Sequence, residues 1–424
     1  MPTAVDRDST ELLPTFLAVR AATERLCEPL SAEDCQLQSM PDASPAKWHL
    51  AHATWFFETF LLATDPRYRP VDEQFGFLFN SYYNGVGARH PRPQRGMLSR
   101  PSLEDVYRYR RAVNDRMGDV LESAGPRRLR EIEPLLTLGL HHEQQHQELI
   151  LTDIQHAWSL NPLRPAYQPP VEHAQKNRRS TRPRQWLDFP AGLRWIGHAG
   201  AGFAFDNEGP RHRVWLDGYR LAAGLVTCGE YLEFIADRGY ARPEFWLSDG
   251  WATVRARDWT APLYWEQDEG GSWQRFSLFG MKPVDADEPI CHVSYYEADA
   301  FARWAGARLT TEAEWEAAAG EAPIAAGPDD PPLCPRPIAP NSDGLVQLDR
   351  DAWQWTSSPY TPYPGFAPAA GAVGEYNGKF MCNQMVLRGG SCATPRSHLR
   401  RTYRNFFPPD ARWQFSGIRL ASDL

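Results

Sequence analysis

The sequence predicts a multidomain protein in which an all-α domain is followed by an α+β domain. Between residues 10 and 160, four long segments carry apolar residues at helical spacing. From Trp186 onward, short apolar segments alternate with turns and with long loops rich in Gly, Pro and Trp. We therefore expect a four-helix bundle in residues 1–165, an extended linker rich in Pro and Arg in residues 166–185, and a second domain in residues 186–424.

The four helices of the bundle are each marked by local signals. The first segment reads LLPTFLAVRAATERLCEPL, and the second begins at Ser44 and Pro45, a favourable helix start. The third opens with Ser102 as N-cap and has Asp105 where a capping box expects Glu or Gln. The fourth reads EPLLTLGLHHEQQHQELILTDIQHAWSL, is apolar on one face and extends to Asn161. Helices of this length favour an antiparallel bundle.

The second domain contains few helical segments. The segments at 228–239 and 294–307 have helical periodicity, and a short helix follows Thr310, with Thr311 as N-cap and Glu314 closing the capping box. Short apolar segments account for the remaining regular structure. This combination predicts an α+β domain with extensive loops.

Composition and charge exclude several classes of protein. The formal net charge of the 424-residue chain is −8, so there is no general basic field for nucleic acid. The N-terminus lacks a secretory signal pattern, and the apolar run at 55–63 is too short to span a membrane. The seven cysteines are scattered without a CxxC motif, which is typical of reduced thiols. We expect a soluble cytoplasmic protein without a nucleic-acid or membrane partner; a monomer is compatible with the sequence, which leaves the oligomeric state open.

The segment HHEQQHQE, residues 141–148, indicates a metal site. His142 and His146 are four residues apart on one helix face, where two imidazoles can bind one metal ion. His141 points about 100° away, and Gln145 borders the same face as the pair. An exposed polar helix face remains the alternative explanation of this segment.

A third ligand is offered by the second helix. The segment KWHLAHATW, residues 47–55, embeds His49 and His52 among apolar side chains. Such a histidine is often a core residue, but helical bundles also hold metals between facing helices. Three imidazoles would leave coordination positions open, which marks a catalytic site, and they suit zinc and iron equally.

These motifs resemble those of a known family. WHLAH, with His52, and HEQQH, with His142 and His146, resemble the DinB-like bundle of the sulfoxide synthases of ergothioneine biosynthesis. The motifs HRVWLDGYRLA, DAWQWTSSPY, VLRGGS and SGIRLA resemble the formylglycine-generating-enzyme-like domain, also known from sulfatase-modifying factors, which has a C-type-lectin-like fold. The resemblance covers almost the whole chain. It implies an O2-dependent non-heme iron oxidoreductase that joins a thiol to C2 of the imidazole of hercynine.

The resemblance also implies a set of site residues. Fe(II) would be held by His52, His142 and His146, and Tyr82 or Tyr83 would supply a proton or hydrogen atom. The substrates would be hercynine, O2 and a thiol or selenium donor, and the second domain would complete the active site. Expected substrate contacts are Gln145, Asn405, Phe406 and Phe407, with Arg89, Arg92, Arg95 and Arg412 as candidates for the carboxylate of the donor.

Two departures from the patterns of related proteins narrow the expected class of enzyme and the expected thiol donor. The copper-binding cysteines of formylglycine-generating enzymes are replaced by Thr394 and Leu399, and Cys392 has no partner at the required spacing. Where the branch that uses γ-glutamylcysteine has an acidic residue and an arginine, this chain has Phe407 and Ala411. The loop SYYNGVG instead resembles the branch that uses cysteine.

Other functions remain open from the sequence. A selenoneine synthase joins a selenosugar to hercynine and resembles the same family. A zinc-dependent thiol transferase would explain the bundle but not the second domain. Synthases of the ovothiol type usually carry an additional methyltransferase domain, and a lectin-like binding module would show no metal dependence.

Overall fold

The structure is a computed structural model that describes residues 11–169, 184–320, 322–339, 342 and 344–424. The chain divides into two compact units. The first contains the described part of Met1–Pro162 together with Gly200–Phe205 and Pro368–Tyr376, and the second contains the rest. Most of the predicted linker lies outside the described residues, and the domain boundaries stay predictions.

In the described residues, the first unit contains the four predicted long helices and one short α-helix. The helices are α1 (Leu12–Cys27), α2 (Ala46–Phe60), α3 (Phe75–Leu78), α4 (Leu103–Ser123) and α5 (Pro126–Ser159). The capping box of Ser102 and Asp105 is formed as predicted. However, α5 begins at Pro126, well before the predicted segment, and Pro134 lies inside it. Burial of Leu129 and Ile132 stabilises this additional N-terminal part of α5.

Helices α2 and α5 approach each other closely at Gly139. A Cβ atom at this position would lie 2.7 Å from the ring of Phe57 and 2.9 Å from the ring of Phe56, so any larger residue would force the helices apart. Both rings are fully buried. Because Gly139 precedes His142 by one helical turn, this close packing brings the histidines of α5 next to α2.

A buried ionic network joins three helices of the same unit. The carboxylate of Glu143 on α5 accepts hydrogen bonds from Arg20 of α1 at 2.8 Å and from Arg110 of α4 at 2.5 Å. The hydroxyl of Thr23 donates to the same carboxylate at 2.6 Å. Burial alone would raise the pKa of Glu143. The two arginines and the hydrogen bonds outweigh this effect and lower the pKa to about 2.

The second unit is an α+β fold, as predicted. Its helices are α6 (Cys228–Ala236), α7 (Ser248–Ala256), α8 (Tyr295–Trp304) and α9 (Glu312–Ala319). Its strands are β1 (Trp186–Phe189), β2 (Gly192–Ile196), β3 (His212–Leu216), β4 (Tyr219–Ala222), β5 (Trp265–Gln267), β6 (Trp273–Ser277), β7 (Gly280–Pro283), β8 (Arg308–Leu309), β9 (Trp353–Pro359), β10 (Met385–Arg388), β11 (Asn405–Phe407), β12 (Ser416–Gly417) and β13 (Leu420–Asp423).

The strands form four small sheets in the described part of the second unit. Two have four strands, in the orders β1-β4-β13-β8 and β11-β10-β9-β12, and the others are the hairpin β2-β3 and the meander β5-β6-β7. Helix α9 has the predicted capping box of Thr311 and Glu314. Among the described helices of both units, none combines the length and apolar character that crossing a membrane requires. The cytoplasmic location stays a prediction.

Candidate metal centre

Three histidines of the first unit converge on one buried point. His52 of α2 and His142 and His146 of α5 are fully or almost fully buried. The Nε2 atom of His142 lies 3.2 Å from Nε2 of His52 and 3.1 Å from Nε2 of His146. One ligand atom of each residue lies within 4.8 Å of the others, so the three side chains could hold one metal ion. These are the three ligands that the resemblance to the family implies.

The distances between these nitrogens fit a transition metal. Imidazole nitrogens lie about 2.0–2.1 Å from a bound ion, so separations of 3.1 and 3.2 Å imply angles of about 100° at the metal. This value lies between the angles of octahedral and tetrahedral coordination. Burial lowers the pKa of all three histidines, that of His142 to about 3. The imidazoles are therefore neutral and have lone pairs available for a metal.

The ring of His52 is held by its neighbours. Its Nδ1 atom lies 2.6 Å from the backbone oxygen of Phe79, so Nδ1 carries the proton and Nε2 has the free lone pair. The ring stacks between Trp48, at 4.5 Å, and Trp55, at 5.6 Å. The hydrogen bond to the backbone oxygen and the packing against the two tryptophans thus orient this imidazole towards the other two.

The two remaining histidines of the predicted motifs lie outside the triad. His141 stacks on Phe203 at 4.0 Å, in agreement with its predicted orientation away from the metal face. His49 contacts His146 through Nδ1, at 2.8 Å. Its other nitrogen lies 3.1 Å from a carboxylate oxygen of Asp153. His49 therefore supports a ligand of the triad and is not placed as a ligand itself.

Tyr376 lies beside the triad and was missed by sequence reasoning. Its hydroxyl donates a short hydrogen bond to the side-chain oxygen of Gln145, and its ring lies 5.6 Å from that of His142. The ring also stacks on Phe205 at 5.3 Å. Tyr376 belongs to Pro368–Tyr376, and no periodicity or motif in that irregular segment distinguishes this tyrosine from many others.

The predicted tyrosine pair lies next to Tyr376. Tyr82 and Tyr83 stack at 4.6 Å, and the ring of Tyr82 lies 6.2 Å from that of Tyr376. Tyr83 is completely buried, and burial together with the neighbouring phenols raises the pKa of its hydroxyl well above the usual value. The structure brings the three phenols together, and the ring of Tyr376 contacts that of His142. The catalytic role of Tyr82 or Tyr83 stays a prediction.

Glu375 links the segment that carries Tyr376 to the loop that carries Tyr82 and Tyr83. Its carboxylate accepts hydrogen bonds from the backbone N–H of Asn84, at 3.0 Å, and of Gly85, at 2.6 Å. Two backbone donors on one carboxylate hold the two segments together.

The three arginines of the loop after the tyrosines differ in their surroundings. Arg89 and Arg92 are exposed, and their guanidinium groups donate to Asn84 and to the backbone of Asp42. Arg95 is buried, lies 3.4 Å above the ring of Trp48 and donates to hydroxyl groups. No carboxylate of the described residues forms an ion pair with it. Burial lowers its pKa to about 8.

Four predicted substrate contacts belong to the second unit. Asn405, Phe406 and Phe407 form β11, where Phe406 stacks on Tyr360 at 4.0 Å. The guanidinium of Arg412 lies 3.3 Å from the carboxylate of Glu297. The guanidinium also donates to the backbone of the second unit. Because its charge is balanced internally, Arg412 is a poorer candidate for a substrate carboxylate than Arg95.

Comparison with known proteins places this arrangement in a family. Residues 15–150 match the model of the DinB superfamily, and residues 171–329 and 335–424 match the sulfatase-modifying factor enzyme 1-like domain. The hercynine oxygenase of Mycolicibacterium smegmatis is 32% identical over 95% of this chain and 97% of its own length. That of Mycobacterium tuberculosis is 32% identical over 98% of this chain and 100% of its own.

A third relative is similar to only part of this chain. The formylglycine-generating enzyme of Streptomyces coelicolor is 29% identical over 58% of this chain and 90% of its own length. Fold, histidine triad and full-length similarity together define a two-domain oxidoreductase. The chain belongs to the hercynine oxygenase family, in which a helical DinB bundle precedes a domain of the formylglycine-generating-enzyme type. The family and the fold class predicted from the motifs are thereby confirmed.

Proposed function

We propose that the protein is an O2-dependent sulfoxide synthase that joins C2 of the imidazole of hercynine to the sulfur of cysteine, in ergothioneine biosynthesis. The convergence of three buried imidazole nitrogens is the observation that carries this proposal. Full-length similarity to proteins named hercynine oxygenases supports the choice of hercynine and O2 as substrates.

Fe(II) is the metal that suits the proposed reaction. The overall change removes one hydrogen from the thiol and one from the imidazole carbon, and forms one C–S bond and one S–O bond. O2 supplies the sulfoxide oxygen and accepts four electrons, and its second oxygen atom leaves as water. Bound Fe(II) would supply redox chemistry for O2 and a site for a thiolate, whereas zinc has no redox chemistry. Three histidine ligands leave positions open for these groups.

The residues around the triad have chemistry that suits the remaining tasks. The hydroxyl of Tyr376, whose ring lies beside His142 and next to Tyr82, can deliver a proton at the triad. The amide of Gln145, which this hydroxyl contacts, is a polar partner for an imidazole nitrogen. The buried Arg95 has no carboxylate partner among the described residues and would bind the carboxylate of the amino-acid donor.

The proposed donor is cysteine rather than γ-glutamylcysteine. At the two positions expected to hold the γ-glutamyl group, Phe407 packs against Trp413 at 5.9 Å and Ala411 is buried. Neither side chain can pair with a charged group. The adjacent Arg412 has its charge balanced by Glu297. A selenosugar is the alternative donor, because it also lacks the γ-glutamyl group.

The experiment supplies one donor at a time to the Fe(II)-loaded protein with hercynine and O2, and identifies products by mass spectrometry. We expect a hercynyl-cysteine sulfoxide from wild-type protein and none from His142→Ala. The neighbouring His141→Ala is the matched control and should retain activity, because this residue lies outside the triad. A product formed with the selenosugar alone would identify the selenosugar, and not cysteine, as the donor. No product with any donor, despite bound iron, would refute the proposed reaction.

A further inference from the structure

We propose that His49 and Asp153 form a hydrogen-bonded relay that fixes the tautomer and the orientation of His146, so that its Nε2 atom is presented to the metal. In this assignment His49 is a positioning residue and contributes no bond to the metal. The inference deepens the proposed function, since it depends on the same metal site.

The relay is continuous and buried. The Nδ1 atoms of His49 and His146 are 2.8 Å apart, and Nε2 of His49 lies 3.1 Å from an oxygen of Asp153. The three side chains are between 2% and 8% exposed. The same oxygen of Asp153 accepts the backbone N–H of Ser44 at 2.8 Å, just before α2 begins. Asp153 therefore connects the start of α2 to the face of α5 that carries the metal ligands.

The order of the groups determines where each proton lies. An ionised carboxylate can only accept hydrogen bonds, so the proton between His49 and Asp153 is on Nε2 of His49. The Nδ1 atom of a neutral His49 then has a lone pair and must accept from Nδ1–H of His146. The remaining nitrogen of His146, Nε2, is left with a free lone pair and lies 3.1 Å from Nε2 of His142. The relay thus selects the tautomer that binds metal.

The three ligands are supported in different ways. Nδ1 of His52 is held by a backbone oxygen, which no substitution at Phe79 removes. Nδ1 of His142 has no hydrogen-bond partner among the described residues. The support of His146 consists of side chains alone, so it can be removed and restored by substitution. A carboxylate at the end of such a relay also makes the ligand more basic.

Two substitutions at His49 separate positioning from packing. His49→Leu retains apolar volume but removes the acceptor for His146, and we expect Fe(II) to bind about 10–100-fold more weakly. His49→Asn places an amide oxygen near the position of Nδ1, so binding should return to within about threefold of wild type. His141→Leu is the matched control on α5 and should bind like the wild type, because the ring of His141 stacks on Phe203 and not on the triad.

The readouts are Fe(II) affinity, from anaerobic competition with a chelator, and the midpoint potential of the bound iron. Chemical unfolding of the metal-free variants verifies that each is folded. His49→Leu should raise the potential, because loss of the relay makes His146 less basic and disfavours Fe(III). Loss of general packing would not be repaired by His49→Asn. Wild-type affinity and potential in His49→Leu, or equal defects in the two variants, would overturn the relay.

Failure of this proposal is distinguishable from failure of the proposed function. The readouts do not require hercynine, a thiol or turnover. A protein that binds iron, shows the pattern of the His49 variants and makes no sulfoxide would support the relay and refute the reaction. A wild-type protein that binds no Fe(II) would overturn both.

Discussion

Replacing Glu143 by Gln tests the network that supports the histidines of α5. Glu143 is buried and accepts hydrogen bonds from Arg20 and Arg110. Its pKa falls from 4.5 to about 2, and one pKa unit corresponds to about 1.4 kcal/mol, so the charge contributes about 3 kcal/mol to stability. Breaking a buried ion pair typically costs about 3–5 kcal/mol, which agrees. We expect Glu143→Gln to lower the free energy of unfolding at pH 7 by about 3 kcal/mol.

The dependence on pH provides a second test. The pKa of this carboxyl is lowered by folding, so its contribution is complete above pH 4.5 and is lost as the pH falls towards 2. The difference between wild type and variant in urea unfolding should shrink over that range. Glu131→Gln on the same helix is the matched control: Glu131 is 48% exposed in its pairs with Arg127 and Arg128, and its loss should cost less than about 1 kcal/mol. A Glu143→Gln variant as stable as wild type would refute the reasoning.

Three further predictions concern the site. The pKa of His142 is lowered from 6.5 to about 3 in the folded metal-free protein. Below pH 6.5 the unfolded chain therefore binds a proton that the folded chain does not, and the free energy of unfolding should fall as the pH drops. In urea unfolding, His142→Phe should reduce that slope by about 1.4 kcal/mol per pH unit, and an unchanged slope would contradict the assignment. Arg95→Gln should raise KM for the thiol donor at least about tenfold, whereas a larger effect of Arg89→Gln would favour the exposed arginine instead. Tyr376→Phe should lower kcat about 100-fold in steady-state assays without changing iron affinity, and a larger loss in Tyr82→Phe would transfer the role to that residue.

Local chemistry made the helices and two of the three histidines predictable. Capping boxes require only a hydroxyl and a carboxylate three residues apart, and those at Ser102 and Thr311 formed where the sequence indicates. The spacing of His142 and His146 needs only a regular helix. For the third ligand, the helix pattern left His49 and His52 open, and His52 followed from the resemblance of WHLAH to the motif of the family.

The rest of the site depends on contacts that no local pattern encodes. Tyr376 and Phe205 belong to the first unit, although their segments lie far from its helices in the sequence. Glu375 anchors its segment through backbone donors, which every residue except proline offers. Likewise, nothing in the sequence distinguishes Asp153 from other acidic residues of α5 until the helices are packed. The early start of α5 was also missed, because Pro134 ordinarily argues against a helix interior.

X-ray absorption spectroscopy of the anaerobic Fe(II)-loaded protein tests the central claim most directly. The scattering pattern of imidazole rings counts the histidines on the iron. The structure predicts three in the wild type, through His52, His142 and His146, and two in any variant lacking one of them that still retains iron. A wild-type spectrum with fewer than three imidazoles, or one that is unchanged in His142→Ala, would contradict the assignment of this triad as the metal centre.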